Sequence, residues 1–155
     1  MENELLSEIG EGRGFGRKLP MPEPGPNAGR IIGLGIDLVA RDRVARMFET
    51  HGERFLQRCF TPGEIEYCLT RRDPIPDLAV RLAAKEAAFK AIGARRGMGL
   101  SWRDFEVVLD EGSVPSLRLL GQAARRGEET GVTEIRMSLT HEDLWVAAVI
   151  VMTGR

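Results

Sequence analysis

Between Ile31 and Val39 the chain reads IIGLGIDLV, an almost unbroken apolar run. It is far shorter than the ~18–20 residues of a membrane span and reads instead as a strand buried on both faces. A single carboxylate, Asp37, interrupts it. Buried alone, that group is costly; a cation or metal ion beside it offsets the cost. A second apolar run, Leu144 to Met152, follows a segment in which Ile135, Met137 and Leu139 alternate with polar residues. FEVVLD and SLRLL, on either side of the turn EGSVP, read as a β-hairpin. With helical segments between them, these strands describe an α+β chain whose antiparallel-rich sheet packs against helices. At 155 residues, with 43% hydrophobic side chains, it fits one domain with a real core.

The helical segments carry their own punctuation. RDRVARMFETHG places Val44, Met47, Phe48 and His51 on one face, and Gly52 ends it. ERFLQRCF continues as a short helix. Thr61, Pro62 and Glu64 form a capping box with proline at the first helical position. RRDPIPD reads as a loop, because Pro74 and Pro76 oppose regular structure, and Asp77 can cap the helix that follows. RLAAKEAAFKAIG is that helix, ended by Gly93. A short helix spans Gly121 to Gly131. Cys59 and Cys68 fall in helical segments among apolar neighbours, as buried free thiols do.

Residues 1–29 differ from the rest. Gly10, Gly12, Gly14 and Gly16, then Pro20, Pro22, Pro24 and Pro26, recur among polar residues. Such a segment buries too little surface to offset its ordering entropy, so a flexible extension is expected, with at most a frayed helix near Leu5. The domain then occupies residues 30–155. The start of the chain lacks a signal-peptide pattern, and no membrane span is expected, which suits a cytoplasmic protein. Lys and Arg total 22 against 23 Asp and Glu, giving no field suited to nucleic acid.

The chemistry concentrates in the alanine-rich helix, which keeps Arg81, Lys85, Glu86 and Lys90 among small residues. Glu86 there, Asp37 in the first strand and His141 after MSLT are the candidate site residues. An Asp and a Glu from separate elements are hard-oxygen donors for Mg²⁺, which keeps several waters and takes other ligands from substrate phosphates. Arg81, Lys85 and Lys90 add positive charge beside such phosphates. Plainer readings stand next to this one. Glu86 and Lys90 are spaced as an i,i+4 surface pair, and His141 suits a loop histidine with a local hydrogen bond. Neither a P-loop, a CxxC pair, an HExxH motif nor a full dinucleotide fingerprint is present.

Five segments in order, IIGLGIDLVARDRV, RFLQRCFTPGEIEYC, RLAAKEAAFKAIG, GLSWRDFEVVLDEGSVPSLRLLGQA and MSLTHEDLWVAAVIV, resemble the holo-[acyl-carrier-protein] synthases. These form the small bacterial branch of the 4′-phosphopantetheinyl transferases, and the likeness runs from about Arg30 to the C-terminus. The resemblance implies the family's fold, in single-domain subunits that assemble as a homotrimer with active sites between neighbours. It implies transfer of 4′-phosphopantetheine from coenzyme A to a serine of an apo acyl carrier protein, leaving adenosine 3′,5′-bisphosphate. Asp37 and Glu86 match the family's Mg²⁺ carboxylates and, with Lys90, its catalytic set. Lys85 and Lys90 match lysines near the phosphates, His141 a histidine by the nucleotide, and Arg81 an arginine near coenzyme A. Arg43 and Arg54 match arginines that meet the carrier protein, and Met47 an apolar contact; Arg46 has no match but could assist. The long extension and the two arginines of ARRGMG, Arg95 and Arg96, depart from the usual pattern. Two other readings remain at this point: a non-catalytic module that binds carrier proteins, and another Mg²⁺-dependent enzyme acting on coenzyme A or a nucleotide diphosphate.

Overall fold

The computed structural model describes residues 29–110 and 112–154. The expected extension over residues 1–29 therefore lies, but for Gly29, outside the described residues. Strand β1 (Arg30–Ala40) leads into helix α1 (Arg41–Cys59) and then α2 (Pro62–Leu69) and α3 (Ile75–Ala91). A 3₁₀ turn (Trp102–Asp104) precedes the hairpin β2 (Phe105–Leu109) and β3 (Pro115–Leu119). Helix α4 (Gly121–Thr130), β4 (Val132–His141) and β5 (Trp145–Gly154) complete the chain. Three strands form one antiparallel sheet in the order β1-β5-β4, and the hairpin is a separate two-stranded sheet. This is the α+β architecture expected.

Helix α3 lies along one face of the three-stranded sheet, and glycine sets how closely. A Cβ at Gly33 would sit 1.8 Å from the Ala91 carbonyl oxygen, and one at Gly35 would sit 1.8 Å from that of Ala87. Only hydrogen fits there, so backbone meets backbone, and the buried Ala83, Ala84, Ala87, Ala88 and Ala91 complete the seam. Val39, Val146, Ala148, Ile150 and Met152 face this core, with Phe60, Leu78 and Phe105 closing it from the helices and hairpin.

The other sheet face is bare. Ile31, Leu34, Ile36 and Leu38 are 61–66% exposed, so β1 is not buried on both faces within one subunit as its sequence suggested. The helices cover one side only; the strand's period of two sends Leu34, Ile36 and Leu38 to the other, and the register shift between Ile31 and Gly33 brings Ile31 to the same face.

Two local readings need adjustment. Pro74 and Pro76 do not keep the segment irregular: α3 begins at Ile75, with Pro76 in the first turn, where a missing N–H costs nothing. Asp77 sits inside that turn and caps nothing; the Asp73 Oδ1 accepts the Ile75 N–H at 3.0 Å instead. Gly52, at φ 46° and ψ −122°, breaks the helical geometry within α1, so that one helical segment ends there and a second continues, as read. The capping box at Thr61 and Glu64 forms as read, and Gly131 closes α4 in the left-handed conformation.

Candidate active site

The charges of α3 divide around its axis. At about 100° per residue, Glu86 and Lys90 share one flank, while Arg81 lies some 140° away from Glu86. The structure follows that division and builds two separate environments.

Asp37 projects from β1 on the sheet face that meets α3, beside Ala148 of β5. Lys90 reaches across and donates to Asp37 Oδ1 and to the Ile36 carbonyl, both at 2.8 Å. The plain reading of Lys90 as a surface partner for Glu86 is thus not what forms. Glu86 remains half-buried, and its carboxyl pKa is raised, first by burial and next by the Asp37 charge, with Lys90 and Arg43 opposing. Two carboxylates that repel each other, one of them lining a cavity, suit a shared divalent cation. Among the described residues no group of three or more His, Cys, Asp or Glu side chains converges, so the chain offers two hard ligands and leaves the remainder to water or substrate. That donor set fits Mg²⁺.

Glu86 also lines a cavity of about 360 Å³ whose other wall is α1. Arg43, Met47 and Arg54 border it, brought to one groove because the chain turns at Gly52. His51 and Arg58 add to its rim, and Phe55, Leu82 and Trp102 to its apolar floor. Arg46 stands apart, paired with Asp42 at 2.6 Å on the exposed side of α1.

Arg81 and His141 line a different cavity, of about 320 Å³, with Tyr67, Asp77 and Leu139. The Arg81 guanidinium is buried, 4.3 Å over the Tyr67 ring, and donates to Asp77 Oδ1 at 3.3 Å. Its Nε has no hydrogen-bond partner among the described residues.

Lys85 joins neither cavity. It is fully buried, and its ammonium pairs with Glu64 Oε2 at 2.7 Å and donates to the carbonyls of Trp102 and Phe105. The expectation that Lys85 lies beside phosphates does not match these surroundings: burial on the core side of α3 turns it to protein partners. Glu64, read from the sequence as a cap alone, and Tyr67, Arg58 and Trp102 were not singled out beforehand. Spacing holds no signal for Glu64, Tyr67 and Trp102, whose contacts with Lys85 or Arg81 come from 14 or more residues away along the chain.

A family model described as the 4′-phosphopantetheinyl transferase superfamily matches residues 33–149. The chain belongs to this superfamily. Within it, the chain is 41% identical over 122 residues to the holo-[acyl-carrier-protein] synthase of Maridesulfovibrio salexigens, covering 79% of this chain and 98% of that one. It is 46% identical over 125 residues to that of Halorhodospira halophila, covering 80% and 99%. Among solved structures, the holo-[acyl-carrier-protein] synthase of Neisseria meningitidis superposes with a TM-score of 0.73 at 31% identity, covering 79% of this chain and 98% of that one. The Helicobacter pylori enzyme in complex with coenzyme A superposes with a TM-score of 0.68 at 25% identity, covering 77% and 99%. The superfamily match spans Asp37, the whole of α3 and His141, so every candidate site residue lies inside it.

Proposed function

We infer that this chain is a holo-[acyl-carrier-protein] synthase: it transfers 4′-phosphopantetheine from coenzyme A to a serine hydroxyl of an apo acyl carrier protein. The observation that carries this reading is Lys90 paired with Asp37, with Glu86 one turn earlier on α3 lining an arginine-rimmed cavity, in a chain of this superfamily. The serine oxygen attacks the β-phosphorus of coenzyme A. The bond to the bridging oxygen breaks, adenosine 3′,5′-bisphosphate leaves, and the serine proton passes to a base. Asp37 and Glu86 would hold Mg²⁺, which when bound polarises the pyrophosphate. Lys90, with its side chain half-exposed and already turned into the site, offsets charge on the phosphoryl oxygens. Arg43 and Arg54 attract an acidic carrier, and Met47 with the floor of the cavity takes an apolar side chain from it.

Arg81 and His141 serve coenzyme A from another quarter. Their cavity shares no lining residue with the one that Glu86 lines. The uncovered apolar strand face supports assembly with neighbouring copies, in the trimer usual for the family, so that a neighbour supplies the second half of each site. No described helix is long and apolar enough to cross a membrane.

The test is to incubate the purified chain with coenzyme A, Mg²⁺ and an apo carrier protein and to weigh the carrier. A carrier heavier by one phosphopantetheine, only when Mg²⁺ is supplied, is expected. Binding of the carrier without a mass change would favour a non-catalytic module, and consumption of coenzyme A without carrier modification a hydrolase.

A further inference from the structure

The Lys85 ammonium has three N–H bonds and three acceptors: Glu64 Oε2 at 2.7 Å, the Trp102 carbonyl at 3.1 Å and the Phe105 carbonyl. Glu64 is equally occupied. Its Oε2 also accepts the Thr61 N–H at 2.9 Å, and its Oε1 accepts the Val107 N–H at 2.9 Å. Both side chains are essentially sealed, at 0% and 1% exposure. The knot thereby ties α3 to α2, to the 3₁₀ turn and to β2, with no N–H left over for a phosphate.

A second clamp acts from the opposite side of α3. The carbonyls of Ala87 and Ala91 rest on Gly33 and Gly35 of β1 with no room for a methyl group. At about 100° per residue these carbonyls lie roughly across the helix from Lys85, and Glu86 emerges between the two clamps. Rolling or sliding α3 to move Glu86 would break one clamp or the other.

We propose that the Glu64–Lys85 pair is a positioning device, which fixes the rotation of α3 so that Glu86 faces Asp37, and that Lys85 binds no phosphate. The proposal rests on the reading of Glu86 as a metal carboxylate. A buried charge pair is weak evidence for stability, since two apolar groups of similar volume often do as well, but it sets a geometry that unlike groups cannot reproduce. Misplacing a reacting group by a fraction of an ångström to an ångström is costly in rate, whereas substrate affinity is shared over many contacts.

Lys85→Met, Glu64→Gln and the double variant are to be compared with the unaltered chain by thermal melting, calorimetric titration with coenzyme A, and transfer kinetics. Each single variant is expected to melt lower and to lose about ten- to a hundredfold in kcat, with coenzyme A affinity held within about twofold. The double variant should lose no more than the worse single one, because the pair acts as a unit. A single variant that does not fold, beside a double variant that does, is the same coupling in stronger form. Losses that multiply, an unfolded double variant, or a Lys85→Met chain that melts normally but binds coenzyme A poorly would each overturn the proposal. Absence of transfer by the unaltered chain would instead overturn the functional reading, and with it the catalytic part of this one.

Discussion

Burial raises the pKa of both Glu86 and Cys68, with different consequences for the two residues. Glu86 is held half-buried beside a like charge, an arrangement that raises its pKa and stores an unfavourable interaction in the fold. Removing the charge therefore relieves the protein while it disables the site. Glu86→Gln is expected to abolish transfer and to melt no lower than the parent in metal-free buffer, since the amide keeps the shape and loses the repulsion. A clear drop in melting temperature, or retained turnover at limiting Mg²⁺, would show that Glu86 is a structural carboxylate. Cys68 is wholly enclosed, and burial pushes its thiol up to about 11 from an ordinary value near 9.0, with Arg81 opposing weakly. The folded state disfavours the thiolate, so this contribution to stability is fully present below pH 9.0 and is lost as pH rises toward about 11. Iodoacetamide at pH 8 should accordingly leave Cys68 unmodified until the chain is unfolded, with peptide mass mapping as the readout.

At the level of elements, the β1–α3 seam decides where Asp37 and Glu86 stand. A methyl group at Gly35 would fall 1.8 Å from the Ala87 carbonyl oxygen, a rigid backbone atom next to Glu86 in sequence. Gly35→Ala should cost at least about 1–3 kcal/mol in chemical unfolding and should lower kcat more than it raises the KM for coenzyme A. A neutral outcome on both would mean that α3 can shift without consequence. Helix α1 carries the arginines proposed to meet the carrier. Arg43→Glu should raise the KM for the carrier strongly, more at low salt than at high, and leave coenzyme A affinity nearly unchanged, because exposed charges chiefly govern encounter and are screened. Kinetics with each substrate varied at two salt concentrations reads this directly. Much of this scale was legible beforehand: strands and helices follow apolar period and capping chemistry, which are local, and Asp37, Glu86 and Lys90 stood out as charges where apolar residues belong. The fate of Lys85 was not legible. Arg81, Lys85, Glu86 and Lys90 look alike as charges in one helix, and only the partners 20 or more residues away, Glu64 and Phe105, reveal that Lys85 turns inward. Pro74 and Pro76 misled because a helix tolerates proline in its first turn, a matter of position within the element rather than of composition.

For the whole molecule, the unused sheet face and the split between the two cavities are one problem. Ile31, Leu34, Ile36 and Leu38 present an apolar surface to water along β1, a cost that assembly removes. On the function proposed above, Arg81 with His141, and Glu86 with Asp37 and Lys90, would each form half of a site that coenzyme A touches at its nucleotide and at its pyrophosphate. In a closed ring of three copies, each contact joins unlike surfaces, so one copy can offer its first half to a neighbour's second half at every interface. That arrangement has a measurable consequence beyond oligomeric state. Arg81→Ala and Glu86→Ala should each be nearly inactive as pure assemblies, since every site lacks one half. Co-expressed in equal amount, they form mixed rings in which about one quarter of interfaces unite an intact Glu86 from one copy with an intact Arg81 from the next. Transfer activity should therefore return to about a quarter of the parental level in the mixture, with no increase when the two purified homo-oligomers are merely combined without exchange. Ile36→Lys, which puts a charge on the bare face, should give monomers by light scattering and abolish both the parental activity and this recovery. Mixed assemblies that stay inactive, in rings shown by mass spectrometry to contain both variants, would mean that each site is complete within one subunit and that the two cavities serve it by a movement of α3 instead.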